Sequence, residues 1–360
     1  MGDSGQGSLL GAGRVTPIDE VTFLRKLQRL LEEGDFVATY KFALLQALAD
    51  LSVENESAPD GTLIVTLEQL AEKFIEYYWR QARPFRNGLV LIQNAGRQAS
   101  VLNRVAEAHS TYQASLATAR RDSAGWKRLS NTVAGIVDQM PLWKLQVIGG
   151  QPEEFLYRVD TYRDRRILLE PGVANCFRSF HPFIVNMVRG AWIDHLLRIR
   201  ANQDLVGEQG DLSEFLFGSE RRPLDEYRAI LREYQSNRCF YCDQQVSSGG
   251  ALDHFIPWMR YPVDLGHNFV FAHSSCNRHK RDYLAHPDHL ARWREQNLDA
   301  ADELSARFED AVLRHDALRT RKIAAWAYEQ AELAEAHVWI SADQFQGLDP
   351  DWRMALGLTS

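Results

Sequence analysis

Apolar residues in the first half of the chain recur mostly at the three-to-four spacing of a helix face. In 19–33, DEVTFLRKLQRLLEE, the residues Phe23, Leu27, Leu30 and Leu31 share one side. In 40–54, YKFALLQALADLSVE, the residues Phe42, Leu45, Leu48 and Ala49 do the same. ENESAPDG then reads as a loop, and TLIV as a short strand leading into TLEQLAEKFIEYYWRQARPF. Thr66 with Gln69 three positions on forms a capping box, and the residue before Pro84 is a natural stop. Residues 96–120 read helical, whereas WKLQVIGG, EFLYRV and RRILLE read as strands joined by turns. ANCFRSFHPFIVNMVRGAWIDHLLRIRANQ is a long helical stretch broken near Pro182.

The later chain changes character. A helix over 223–234 places Leu224, Tyr227, Ile230 and Leu231 on one side. A long stretch over 302–338 carries Leu304, Phe308, Val312, Ile323, Trp326 and Leu333 on a helical period, as a packing helix or an oligomer surface. VWISADQFQGLDPDWRM reads as a looser tail. Between these lies a segment with little periodicity and much chemistry: CFYC at 239–242, ALDHFIPW at 251–258 and GHNFVFAHSSCNRHK at 266–280. There is no internal repeat and no low-complexity tract.

Composition narrows the classes. The 360 residues, 45% apolar and 25% charged, are those of a soluble protein with room for real cores. No window approaches a membrane span. The opening MGDSGQGSLLGAG lacks the basic and apolar regions of a signal peptide, so 1–14 is expected to be a flexible tail, in part a cloning remnant, and the location cytoplasmic. A net charge of −7 argues against a polyanion-binding surface overall but leaves room for a local positive groove.

Three of the four cysteines, Cys239, Cys242 and Cys276, fall within 38 residues, and Cys176 stands alone. Without a secretory signal, C-x-x-C points to metal or redox chemistry. A thioredoxin-like pair would open a helix in a βαβ unit, whereas this pair follows YRAILREYQSNR and precedes a Gly-containing turn. His273 and Cys276 repeat the two-residue gap. Three thiolates and an imidazole make a closed, tetrahedral Zn²⁺ site, which is structural and contributes folding free energy locally. His279 is the alternative imidazole. Such a zinc would clip a hairpin, with LDHFIP on its first strand and NFVF on its second, to a helix opened by CNRHKRDYL.

Asp253 and His254 then stand at a strand end. Adjacent residues on a strand point to opposite faces, but bending at the end can bring both to one cleft. Phosphodiester hydrolysis needs a base for water and a hard cation for the charge on the scissile phosphate. An imidazole suits the first task. The Asp253 carboxylate and the Asn277 amide oxygen suit Mg²⁺ or Mn²⁺. NRHKR, with Arg278, Lys280 and Arg281, is the strongest candidate for phosphate contacts, ahead of RRPLDEYR and YRVDTYRDRRI. His267 reads as a loop histidine, and His286 and His289 as surface or cap residues.

CFYC…LDHFIPW…NFVF…HSSCNRHK resembles the HNH, or ββα-metal, endonuclease family over about 60 residues, roughly 230–290. The resemblance implies that His254 is the general base, that Asp253 and Asn277 bind the catalytic metal, and that Asn268 braces the loop between the strands. It also implies that Lys280 lies near the phosphate, and that Cys239, Cys242, His273 and Cys276 hold the structural zinc. His273 stands where a cysteine is commoner in that family. Hydrolysis would leave 5′-phosphate and 3′-hydroxyl ends, in a setting of restriction or anti-phage defence.

The expected fold is α+β and mainly helical. It comprises a helical domain at 15–210, a zinc-stapled ββα nuclease domain at 223–295 and a helical C-terminal segment at 296–360. The expected partner is nucleic acid, DNA ahead of RNA, with a protein partner or a homodimer through the helical regions. The alternatives are a zinc-stabilised nucleic-acid-binding module without cleavage, and a scaffold that acts only within a complex.

Overall fold

A computed structural model describes residues 17–85, 88–94, 98–203, 209–218 and 221–358. The tail expected over 1–14 lies outside them. The fold is α+β and predominantly helical, with small two-stranded antiparallel sheets.

The helices of the first part are α1 (Glu20–Glu33), α2 (Tyr40–Glu54), α3 (Leu67–Gln81), α4 (Ser100–Thr111), α5 (Leu116–Arg121), α6 (Ser123–Gln139) and α7 (Pro141–Lys144). They are followed by α8 (Val173–Ser179), α9 (His181–Arg198), α10 (Arg200–Gln203) and α11 (Gln209–Phe217). Strand β1 (Leu63–Thr66) leads into α3 through the capping box, with Thr66 Oγ1 accepting from the Gln69 N–H and Gln69 Oε1 accepting from the Thr66 N–H. The helix break at Pro182 falls between α8 and α9, where proline sits in the first turn of α9.

Three expectations change here. The run 96–120 is two helices, because Gln113 and Ala114 turn through positive φ. EFLYRV forms no strand. Instead β2 (Val147–Ile148) pairs with β3 (Gln151–Pro152), while β4 (Arg166–Leu169) pairs with the distant β1. Helix α2 has no solvent face: Lys41, Gln46, Asp50, Ser52 and Glu54 are buried along with its apolar stripe.

The second part begins with α12 (Arg221–Tyr234). Strand β5 (Ala251–His254) pairs antiparallel with β6 (Phe269–Ala272), and α13 (Ser274–Lys280) follows directly. Helices α14 (Pro287–Trp293), α15 (Ala301–Asp310) and α16 (Ala317–Leu333) come next. The hairpin β7 (His337–Ser341) and β8 (Gln344–Gly347) and the short α17 (Trp352–Ala355) complete it. The single period expected over 302–338 is therefore broken. Val312 has φ of 56°, α16 starts afresh with Asp316 as its cap, and Leu333 is exposed. The stretch expected as a loose tail is ordered, because Trp339, Trp352 and Leu356 bury themselves in the core.

The buried apolar residues form two clusters, one running from Phe23 to Leu216 and the other from Tyr227 to Leu356 with Val53 of α2. Charged groups join them. Glu54 meets Lys73 at 2.5 Å and Arg319 at 2.6 Å, and it accepts from the Tyr261 hydroxyl. Glu76 receives Arg120 at 2.7 Å, Arg314 at 2.6 Å and Arg319 at 3.0 Å. Burial opposes ionisation of Glu76, but these cations and Lys73 prevail and hold its carboxyl well below the usual range.

Candidate metal centre and active site

Past α12, Ser236 and Asn237 turn the chain through positive φ into CFYC. A tight loop follows, in which the Cys239 N–H donates to Gln244 O and the Asp243 N–H to Cys239 O, each at 2.9 Å. The Phe240 N–H donates to Phe271 O at 2.9 Å and ties this loop to β6. Since β6 ends at Ala272, His273 and Cys276 open α13 directly above it.

The four donor atoms of Cys239, Cys242, His273 and Cys276 lie within 4.8 Å of one another. A tetrahedral zinc with bonds of about 2.3 Å sets neighbouring sulfurs roughly 3.8 Å apart, so the set fits. His273 presents Nδ1, 3.3 Å from Cys242 Sγ, while its Nε2 meets Gln245 O at 3.3 Å. That second contact selects the tautomer with Nδ1 free to ligate. The His273 N–H donates to Cys239 Sγ at 3.2 Å. Burial, then the neighbouring Cys239 and Cys242, push the Cys276 thiol up to about 12. Burial opposes ionisation of Cys239 too, but backbone N–H groups of Cys242, His273 and Tyr241 lower it. Crowded thiolates of this kind call for a cation. The cluster is suited to a single metal ion, and its three thiolates and one imidazole suit zinc. His279 is exposed and stands outside it.

On the hairpin, Gly250 has φ of 101°, and a Cβ there would meet the Phe271 ring at 2.4 Å. Glycine thus lets the chain close onto β6 just ahead of β5. Asn268 ties the other end. Its Nδ2 donates to Ile256 O at 2.9 Å and its Oδ1 accepts from the Ile256 N–H at 2.8 Å.

Asp253 and His254 have separate sets of side-chain partners. The Asp253 carboxylate is buried; it accepts from the Tyr241 hydroxyl at 2.5 Å and pairs with Lys280 Nζ at 3.1 Å. The His254 ring packs against Phe269 at 4.6 Å and Trp258 at 5.4 Å, and its Nε2 meets Asp264 Oδ1 at 2.9 Å. Nδ1 of His254 has no hydrogen-bond partner among the described residues. A neutral imidazole that donates through Nε2 keeps the Nδ1 lone pair available to a proton.

Lys280 corrects an expectation. It is fully buried, donating to His254 O at 3.0 Å as well as pairing with Asp253, so it is an internal counter-ion and not a phosphate contact. Arg278 and Arg281 are exposed on α13 and just beyond it, and Asn277 is half-buried on the same helix. Of the weaker basic runs, Arg158 is paired with Asp160 and Arg165 with Glu68, while the side chains of Arg221 and Arg222 lie outside the described residues. His267 is a core residue rather than a loop histidine, with Nε2 at 3.1 Å from Ser305 Oγ. His286 caps α14, and His289 packs against Tyr241 and Trp339.

Asp264 and Tyr241 were not legible as site residues. Asp264 follows His254 by ten positions in a loop without periodicity, and Tyr241 reads as filler between two cysteines. No local signal marks either; each acquires its partner only in the folded chain.

A family described only as a domain of unknown function (DUF8808) matches residues 21–135, within the first core and short of the metal centre. No curated protein and no solved structure matches the chain.

Proposed function

We propose that this protein is a zinc-stapled, metal-dependent endonuclease of the HNH type, hydrolysing phosphodiester bonds in nucleic acid, DNA ahead of RNA. The observation that carries the reading is the His254–Asp264 pair at the end of a strand beside a Cys₃His cluster. Asp264 orients the imidazole through its contact with Nε2, as a carboxylate does in other His-based catalysts. His254 Nδ1 then takes the proton from the attacking water. Arg278 and Arg281 offer charge for backbone phosphates.

Mg²⁺ or Mn²⁺ belongs to this reading, with Asp253 and Asn277 as its holders. Both are oxygen donors, and they lie on β5 and α13, which pack together. The Lys280 ammonium already stands at the buried Asp253 carboxylate, so a divalent ion held there would have to displace it. When bound, the ion supplies charge neutralisation at the scissile phosphate. The same Lys280 pair favours a second reading, in which the zinc-stabilised module binds nucleic acid without cutting it or serves as a scaffold.

The deciding experiment is cleavage of supercoiled plasmid by the wild type, His254→Ala and Asp264→Asn, with EDTA, Mg²⁺, Mn²⁺ or Ni²⁺ and with zinc content measured in parallel. The expected result is cleavage that needs added divalent metal, falls about 10²–10⁴-fold in His254→Ala and falls less in Asp264→Asn, with zinc unchanged. Cleavage that survives His254→Ala would overturn the mechanism. Absence of cleavage in a folded, zinc-loaded protein would favour the second reading.

A further inference from the structure

A cavity of about 610 Å³ lies between the two cores. That is the size of a small-molecule or cofactor site. Tyr77, Arg189 and Phe217 line it from the first part, and Trp258, Asp264 and Arg314 from the second. The cavity therefore adjoins the candidate active site, since Asp264 holds His254 and Trp258 packs on its ring.

The charges of its wall are unevenly satisfied. Asp50 is engaged by His181 at 2.7 Å and the Tyr77 hydroxyl at 2.6 Å, Glu76 by its three arginines, and Asp264 by His254. Arg189 differs. Its Nε donates to Gln46 Oε1 at 3.3 Å and its guanidinium lies 4.8 Å from the Phe217 ring, but no carboxylate among the described residues forms an ion pair with it. Burial disfavours its charge, and the more distant Asp50, Tyr77 and Tyr261 only partly oppose this. A part-buried guanidinium held by an amide and a ring accepts an anion, and the aromatic rings beside it accept a flat base by stacking.

We infer that this cavity binds one nucleotide unit, its phosphate at Arg189 and its base among Tyr77, Phe217 and Trp258. The inference deepens the proposed function and rests on it for the source of the ligand, a nucleotide drawn out of the substrate strand. A free mononucleotide presents the same chemistry, so both sources are tested.

Full-length, zinc-loaded protein without added divalent metal would be titrated calorimetrically with the four deoxynucleoside monophosphates and with a short single-stranded oligonucleotide. A 2-aminopurine in the strand would report unstacking. Wild type is expected to bind, Arg189→Gln at least tenfold more weakly, and Arg189→Lys in between, all with unchanged zinc. Mononucleotide that displaces the 2-aminopurine signal would assign the cavity to a strand nucleotide. Mononucleotide binding without any strand signal would overturn that source. Should Arg189→Gln fail to fold, Trp258→Ala and Phe217→Ala carry the same expectation. Binding indifferent to these substitutions, or no binding of either probe, would overturn the inference and leave the plasmid result standing. Binding as expected with no cleavage would sink only the catalytic reading.

Discussion

At the residue scale, Asp253 and His254 are chain neighbours with different chemistry. Asp253 is closed off by Tyr241 and Lys280, whereas His254 is partly open and steadied by Asp264. His267, a few positions beyond Asp264, shows how burial acts on the same side chain. Burial, then His315, push its imidazole down to about 4 from 6.5. Below pH 6.5 the unfolded chain takes up a proton that the native protein refuses, so native stability falls as pH drops toward 4. The full effect of this one group is roughly 3 kcal/mol. His267→Gln should therefore flatten the loss of stability between pH 7 and pH 5, as measured by urea denaturation of mutant and wild type side by side. Equal pH slopes in the two proteins would count against a buried neutral imidazole.

At the element scale, a pair of four-residue strands and a seven-residue helix are too short to hold a site by their own propensity. Cross-links substitute for length. The metal cluster joins the CFYC loop to α13, Asn268 joins the two ends of the hairpin loop through Ile256, and Lys280 ties α13 back to β5. Cys276→Ser is expected to reduce bound zinc from one per chain to none. It should also raise amide hydrogen exchange through 239–280 while leaving α2 and α3 protected. Zinc retained at one per chain would exclude Cys276 as a ligand. The motif spacing made this element readable: two x₂ pairs identify the donors, although His279 is excluded only by its outward position on α13.

At the scale of the whole molecule, buried ion pairs bridge the two cores. Glu76 gathers arginines from three places in the chain, Arg120, Arg314 and Arg319. Removing one partner from a buried ion network costs about 3–5 kcal/mol, because the charges left behind stay desolvated. Glu76→Gln should lower stability by about that amount, read from chemical denaturation. Its carboxyl is held well below its usual value, so the network contributes fully above the ordinary carboxylate range, weakens as pH drops below that range, and is lost once pH falls through the depressed native value. A Glu76→Gln protein as stable as wild type would mean that the network orders the interface without strengthening it.

Local pattern was enough for the helices with one wet face, such as α1 and α3 with its cap, and for the donor set whose spacing is itself the signal. Period and spacing are properties of a few consecutive residues, so they survive without knowledge of the rest. Four things depended on the assembled chain: the full burial of α2, the pairing of β1 with β4, the choice of Asp264 as the partner of His254, and the burial of Lys280 against Asp253. Each depends on what covers a side chain or lies across from it. Desolvation and long-range pairing are set by residues from distant parts of the sequence, and only folding brings those together.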